Sequence, residues 1–335
     1  MQKTTSRVLT AAIAVTATVA VAAPAFADQG PAEGDARVAC TSSQNPASVK
    51  LADRLGRDVS RAIGTKDYLS VALDAQPWGV RCTYRPDSRN DTASLVKPTI
   101  LAALLHAEHG RLTDRQKALA SKMIIDSDND SAAALWKDLS DMADPATPNT
   151  TVFRSFLATA GMTGTVPDGD STSWGLTRTT AADQLKLLDI LTGRDNTVLN
   201  SQERDYELGL MRQVRPDQRW GATADVPAAA QTAVKNGWLQ RSQNGPTNDF
   251  DRLDWKVNSM SAVSGGQGED RYASNLVVLT QDNRVPKGEA PFYGFRPAVA
   301  KIQQVAEAVN KDLYPNLPQS ARYLPPPVER SVATN

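Results

Sequence analysis

The run Ile100-Leu-Ala-Ala-Leu-Leu105 is apolar on every side. A helix of that composition has no face to offer to water, so the rest of the fold must wrap around it. Pro98 sets where the helix starts: proline is tolerated only in the first turn, where its missing N–H would have no partner anyway. The spacing predicts a helix over 95–109 that begins close to Ser94. Lys97 is carried into this buried element three residues after Ser94, on the same face and one turn away, about 5–6 Å between Cβ atoms. Burial disfavours an ammonium and lowers its pKa, so a neutral lysine there can accept the serine proton. The helix N-terminus adds positive potential and free N–H groups that suit an oxyanion. Taken alone, the pattern reads more simply as an N-cap serine followed by a snorkelling lysine.

The surrounding pattern supplies the layers such a helix needs. Apolar residues Val49, Leu51, Leu55, Val59 and Ile63 predict an amphipathic helix, and β-rich runs at 68–73 and 79–84 flank Gln76-Pro-Trp-Gly79 as a hairpin. Helical stretches follow at 112–139 and 181–191, with loops at 141–150 and 161–177. Strands are expected at 226–238, 255–263 and 274–280, and a last helix at 298–313. This order predicts an α+β fold: a five-stranded antiparallel sheet flanked by terminal helices, with an all-helical lobe inserted between the second and third strands. The α/β part would comprise 46–92 and 226–313, the lobe 93–225, and a Pro-rich tail at 314–335 is expected to be loosely held.

Lys3 and Arg7, the apolar segment Val8 to Ala22 and the small-residue site Ala25-Phe-Ala27 predict a cleaved secretory signal over 1–27, with cleavage near Ala27/Asp28. About 15 apolar residues fall short of the ~20 a membrane-spanning helix needs. Cys40 invites a lipoprotein reading, but Arg37 and the acidic stretch after Ala27 separate it from the apolar segment. Residues 28–45, rich in Gly, Pro, Ser and charge, are expected to be a flexible leader. Export permits disulfides, so Cys40 and Cys82, the only two cysteines, are expected to pair, two free thiols being the alternative. Lys and Arg number 37 against 37 Asp and Glu, and 35 against 37 once the signal is removed, a balance that points to no nucleic-acid or anionic-membrane partner.

Histidine chemistry is excluded by geometry. His106 and His109 lie about 12 to 15 residues past Ser94 on the same helix, roughly 18–22 Å away, so neither can be its base. A G-x-S-x-G elbow is absent as well. His106-Ala-Glu-His109 reads as a polar helix end before Gly110, and no metal is assigned. Two further motifs do accompany Ser94 and Lys97. Ser127-Asp-Asn129 lies between helical stretches, where it is also a good turn and N-cap. Lys235-Asn-Gly237 lies on a predicted strand, where Asn-Gly is also a hairpin signal.

S-x-x-K, then S-D-N, then K-T-G is the signature of class A β-lactamases and penicillin-binding proteins. Over roughly 46–313 the chain resembles that superfamily, most nearly the class A β-lactamase-like serine hydrolases. The resemblance implies Ser94 as the acylated nucleophile, Lys97 as its base and Ser127 as relay to the leaving nitrogen. It further implies Asn129, Lys235, Asn236 and Gly237 as substrate-binding positions, and an oxyanion hole from the backbone N–H groups of Ser94 and Trp238. The substrate would be a β-lactam or a related amide, with no metal or organic cofactor. The protein would be a secreted monomer, and cell-wall peptidoglycan a candidate partner.

Two departures bear on the reaction. The loop 164–177 contains no glutamate where class A enzymes carry their deacylating one; Asp168 and Asp170 are the acids in that part, each one methylene shorter. A misplacement of ~1 Å can lower a rate about a hundredfold, and Asp-Gly-Asp is also a plain turn. Asn236 replaces a hydroxyl residue and Trp238 a small one; Arg219 or Arg241 could add carboxylate contact, though each reads more simply as a solvated arginine. A D-alanyl-D-alanine carboxypeptidase or transpeptidase, and a binding module that keeps the pocket without turnover, therefore stand beside the hydrolase. Of six tryptophans, Trp136 among them, only Trp174 and Trp238 are expected near the site.

Overall fold

The computed structural model describes residues 37–42, 45–65, 68–169, 173–240, 254–265, 271–284 and 294–320. The expected signal, most of the leader and the end of the tail lie outside them. Strands β1 (Ala39–Ser42), β2 (Leu69–Ala75), β3 (Val80–Tyr84), β6 (Thr232–Gln240), β7 (Trp255–Ser264) and β8 (Tyr272–Asn283) form one antiparallel sheet in the order β1-β3-β2-β8-β7-β6. The two-residue strands β4 (Asn90–Asp91) and β5 (Arg178–Thr179) form a separate ladder.

Every residue of β2 and β7 is buried, because the sheet is covered on both faces. Successive side chains point to opposite faces, so alternate residues enter different cores. Leu69, Val71, Leu73, Leu276 and Val278 join the core built with helices α1 (Pro46–Ile63) and α8 (Phe295–Leu313). Ala72, Val277 and Leu279 join the core of the helical lobe. That lobe comprises α2 (Val96–Ala107), α3 (Asp114–Ser121), α4 (Asn129–Asp141), α5 (Thr151–Thr159), α6 (Ala181–Leu191) and α7 (Ser201–Arg212). Helix α2 lies in its middle, and Ile100 to Leu104 are wholly buried, as the all-apolar run requires.

The structure corrects several expectations. The sheet has six strands, not five. The sixth is β1, inside the segment expected to be a flexible leader: pairing with β3 orders Ala39–Ser42, and the Cys40–Cys82 disulfide joins the two strands at a matched position. Closing a loop of 42 residues with that bond stabilises the fold by about 4 kcal/mol in the chain-entropy account. The expected helix 112–139 breaks into α3, a wide turn over 122–126 and α4. The tail expected to be loose is held at its start, where Ala228 N–H donates to Pro318 O and Ser320 N–H to Val226 O, both at 2.8 Å. That pairing uses the residues expected to open β6, which instead begins at Thr232. Among the described residues no helix is long and apolar enough to cross a membrane.

Candidate active site

The hydroxyl of Ser127 is where three separate segments meet. Helix α3 runs into the wide turn 122–126, and Ser127 ends it in a left-handed conformation at φ 58°. Asp128 then restarts the chain as the N-cap of α4, its carboxylate accepting the Ser131 N–H at 2.7 Å. Ser127 is thus exposed by a break in the helix, a conformation that costs a non-glycine residue about 1–2 kcal/mol. From the first turn of α2, Lys97 Nζ donates to Ser127 O at 2.5 Å and to Asn129 Oδ1 at 2.9 Å, and lies 3.3 Å from Ser127 Oγ. From strand β6, Lys235 Nζ is 2.9 Å from the same Oγ and donates to Asn236 O at 3.0 Å.

Both lysines have no exposed surface. Burial, with the charge of Lys235 adding to it and Asp128 partly opposing, lowers Lys97 to about 6. Burial alone lowers Lys235 to about 7. A neutral Lys97 has two hydrogens and one lone pair. The two carbonyl oxygens of Ser127 and Asn129 can only accept, so they take the hydrogens and leave the lone pair to the Ser127 hydroxyl. The pair therefore forms a short relay, Lys97 to Ser127 to Lys235, along which a proton can be held or passed.

Ser94 lies in a 3₁₀ turn, Ala93–Leu95, immediately before α2. The helix has no side-chain cap, so Ser94 is not the N-cap that a bland reading of the motif suggests. It is partly exposed, and the polar contacts of Lys97 go to Ser127 and Asn129, not to Ser94. Its turn is held firmly. Asn258 Nδ2 donates to Asp91 O at 2.8 Å and to Thr92 O at 3.2 Å. Strand β6 presses on it at Gly237, where a Cβ would stand 2.4 Å from Leu95 N, 2.5 Å from Thr92 O and 3.0 Å from Ser94 N. Only glycine fits so close an approach, and it brings Trp238 in as the next residue along the strand. Ala93, directly before Ser94, is itself left-handed at φ 48°.

One expectation is not met. Asn236 does not face an open cleft: it is fully buried, and its Nδ2 donates back to Gln218 O at 2.8 Å and Trp220 O at 3.0 Å. A strand alternates, so with Lys235 directed at Ser127 its neighbour turns to the opposite side. Arg219, partly exposed, donates to Arg212 O and Thr232 O, while Arg241 lies outside the described residues. On the loop 164–177, Asp168 is exposed and Asp170 lies outside the described residues. The loop residue that meets Lys97 is Trp174, with its ring centroid 4.9 Å from Nζ. Trp238 packs in tilted contact with Trp220 and Phe295, with centroids 5.7 and 5.9 Å away. His106 faces Val198 O at 3.1 Å and tilts against Phe156, a packing role inside the lobe.

Comparison with known proteins agrees with this fold. The sequence profile of the β-lactamase enzyme family matches residues 115–250. Among solved structures, a class A β-lactamase representative from Bacteroides cellulosilyticus superposes with a TM-score of 0.58 at 14% identity, covering 79% of this chain and 98% of its own. A β-lactamase from Xanthomonas campestris gives 0.55 at 19%, covering 79% and 97%. An ancestral class A β-lactamase gives 0.53 at 20%, covering 77% and 98%. No curated protein matches by sequence.

Proposed function

We propose that this chain, which belongs by fold to the serine β-lactamase-like superfamily, is a serine hydrolase that forms an acyl-enzyme at Ser94 with a β-lactam or a related amide. The observation that carries this reading is the Ser127 hydroxyl held between two buried lysines, beside a turn that Gly237 presses into place. In acylation, Ser94 Oγ adds to the carbonyl carbon and its proton passes to neutral Lys97. The backbone N–H groups of Ser94 and Trp238 receive the oxyanion; losing one such donor typically costs about 2.7–4 kcal/mol. Ser127 then hands a proton to the departing nitrogen, resupplied along the relay, and Lys235 in its charged form draws the substrate carboxylate. Asn129, exposed at the start of α4, contacts the amide of the substrate's side chain.

A second reading, a D-alanyl-D-alanine peptidase or transpeptidase, or a penicillin-binding module that acylates without turnover, is favoured by one observation. Among the described residues of the loop, the group that meets Lys97 is an indole. Export from a cleaved signal ending near Ala27 completes the proposal, and the disulfide between β1 and β3 suits that compartment. Peptidoglycan is the partner the peptidase reading implies.

Intact mass of the mature protein during incubation with a chromogenic cephalosporin, with absorbance followed in parallel, tests both. Ser94→Ala is expected to form no adduct while keeping its fold; an adduct that survives in this variant would sink the nucleophile assignment. Steady colour without a lasting adduct selects the β-lactamase reading. A lasting adduct without turnover selects the penicillin-binding one.

A further inference from the structure

Trp174 is placed by contacts that bind the loop to the nucleophile's own turn. Thr92 N–H donates to Thr177 O at 2.8 Å, and Thr92 Oγ1 lies 3.5 Å from Gly175 O. The α-carbon of Gly175 lies against Ala93, with only 3.9 Å between an added Cβ and Ala93 Cα. Trp174 itself is half-buried and packs on the core of the helical lobe. Its ring and the polar contacts to Ser127 and Asn129 together enclose the Lys97 amine, which has no surface left for solvent.

An ester on Ser94 is hydrolysed when a water oxygen adds to its carbonyl carbon and the water's proton goes to a base. The ester C–O bond then breaks and Ser94 Oγ leaves with a proton returned by that base. The base must touch the water. An indole has a donor N–H and no acceptor, so the group that meets Lys97 among the described residues of the loop cannot take that proton, and its ring covers the amine on that side.

Resting on the acyl-enzyme reading above, we propose that Trp174 is a positioning residue that sets the lifetime of the acyl-enzyme: its ring withholds hydrolytic water from Lys97 and so slows release of the acyl group from Ser94. The residue acts through Lys97 and takes no part in acylation, which draws the serine proton from within the site.

The test loads wild type, Trp174→Phe and Trp174→Ala with a cephalosporin, removes the excess and follows adduct lifetime by intact mass. Trp174→Ala is expected to shorten the lifetime at least tenfold while the acylation rate stays within threefold, and Trp174→Phe to keep the long lifetime. A lifetime unchanged in Trp174→Ala overturns the proposal, as does a Trp174→Phe variant as short-lived as the alanine one. If Trp174→Ala does not fold, Trp174→Leu replaces it. A second readout needs no acylation: labelling of Lys97 by acetic anhydride in the free protein is expected to rise several-fold in Trp174→Ala and to stay low in Trp174→Phe. Unchanged labelling overturns the ring as a cover. If the wild type forms no adduct and turns over no cephalosporin, the acyl-enzyme reading falls by itself and the labelling still decides whether Trp174 shields the lysine, whereas turnover without a lasting adduct overturns the proposal.

Discussion

Two clusters of charge are buried against this sheet, and they are built on opposite principles. At one end, the buried Asp74 of β2 and Asp189 of α6 face Arg194, whose side chain is buried, and the exposed Arg81. Arg81 lies 2.8 Å from Asp74 and 3.0 Å from Asp189, and Arg194 is 3.1 Å from Asp74 and 3.4 Å from Asp189. Asn275 of β8 adds a hydrogen bond to Asp189 at 2.9 Å. Each charge has an opposite partner, and guanidinium does not lose its proton, so the cluster welds helix α6 to the sheet and has no chemistry. At the other end, Lys97 and Lys235 share Ser127 with no carboxylate in an ion pair with either among the described residues. An ammonium deprived of both water and a counter-ion is relieved by releasing its proton. Burial with compensation makes structure; burial without it makes a base.

The comparison breaks most visibly if the lysines are replaced. Lys97→Met is expected to slow acylation of Ser94 by about 10²–10⁴-fold, the usual worth of a general base, while leaving thermal stability equal or higher because an uncompensated amine is gone. Stopped-flow acylation and a melting curve on one preparation check both halves, and a variant that acylates at the wild-type rate would remove Lys97 from the mechanism. Asp189→Ala should do the reverse. It is expected to lose about 3 kcal/mol of stability by breaking a buried ion cluster, measured by denaturant unfolding, with the acylation rate of the folded fraction unchanged.

A third group sharpens the contrast. Glu207 on α7 is fully buried, both its oxygens are without a partner among the described residues, and burial raises its pKa well above the usual carboxylate value. It stays protonated in the fold after the unfolded chain has ionised, so its contribution is present below about pH 4.5 and is lost as pH rises. Glu207→Leu is expected to gain about 1–3 kcal/mol by removing an unsatisfied group, more at pH 8 than at pH 4. Equal gains at both would show that the carboxyl does not titrate in this way.

The smallest effect expected is in the pH profile. Acylation by a carboxylate-bearing β-lactam should rise through about 6 as Lys97 becomes neutral and fall through about 7 as Lys235 loses its charge, a narrow bell belonging to the coupled pair. An uncharged acylating ester should keep the rising limb and lose the falling one. The linked stability runs the other way from that of a lysine in a salt bridge, whose pKa is raised. Both lysines are lowered in the fold, so the unfolded chain binds more protons between about 6 and the ordinary lysine value, and stability increases with pH across that window.

Much of this was legible without coordinates, for local reasons. The all-apolar run at Ile100 to Leu105 and the proline before it locate α2 to within a residue or two of its observed Val96–Ala107. Ser94, Lys97, Ser127 and Lys235 are named by motif order, and the structure brings Lys97, Ser127 and Lys235 together. Strand β1 was not legible, since Ala-Cys-Thr-Ser carries no apolar alternation and becomes a strand only by lying along β3. Helix α7 has its start written as a capping box between Asn200 and Glu203, yet two of its buried positions are glutamates, which hides the helix from a periodicity reading. The direction of Asn236 follows from the pleat of β6 and from the carbonyls of 218 and 220, far from it in neither space nor chain but invisible to a motif.

By itself, then, the sequence determined which residue types enter the core, where the lysines and serines stand along the chain, and that the fold must wrap a wholly apolar helix. Only the tertiary structure decided what surrounds each charge: that Lys97 meets the ring of Trp174, and that Asp189 meets two arginines. The reason is physical. Apolar burial follows from a segment's own composition, whereas a proton's affinity depends on charges, dipoles and water within a few ångströms, and those are supplied by parts of the chain tens to hundreds of residues away.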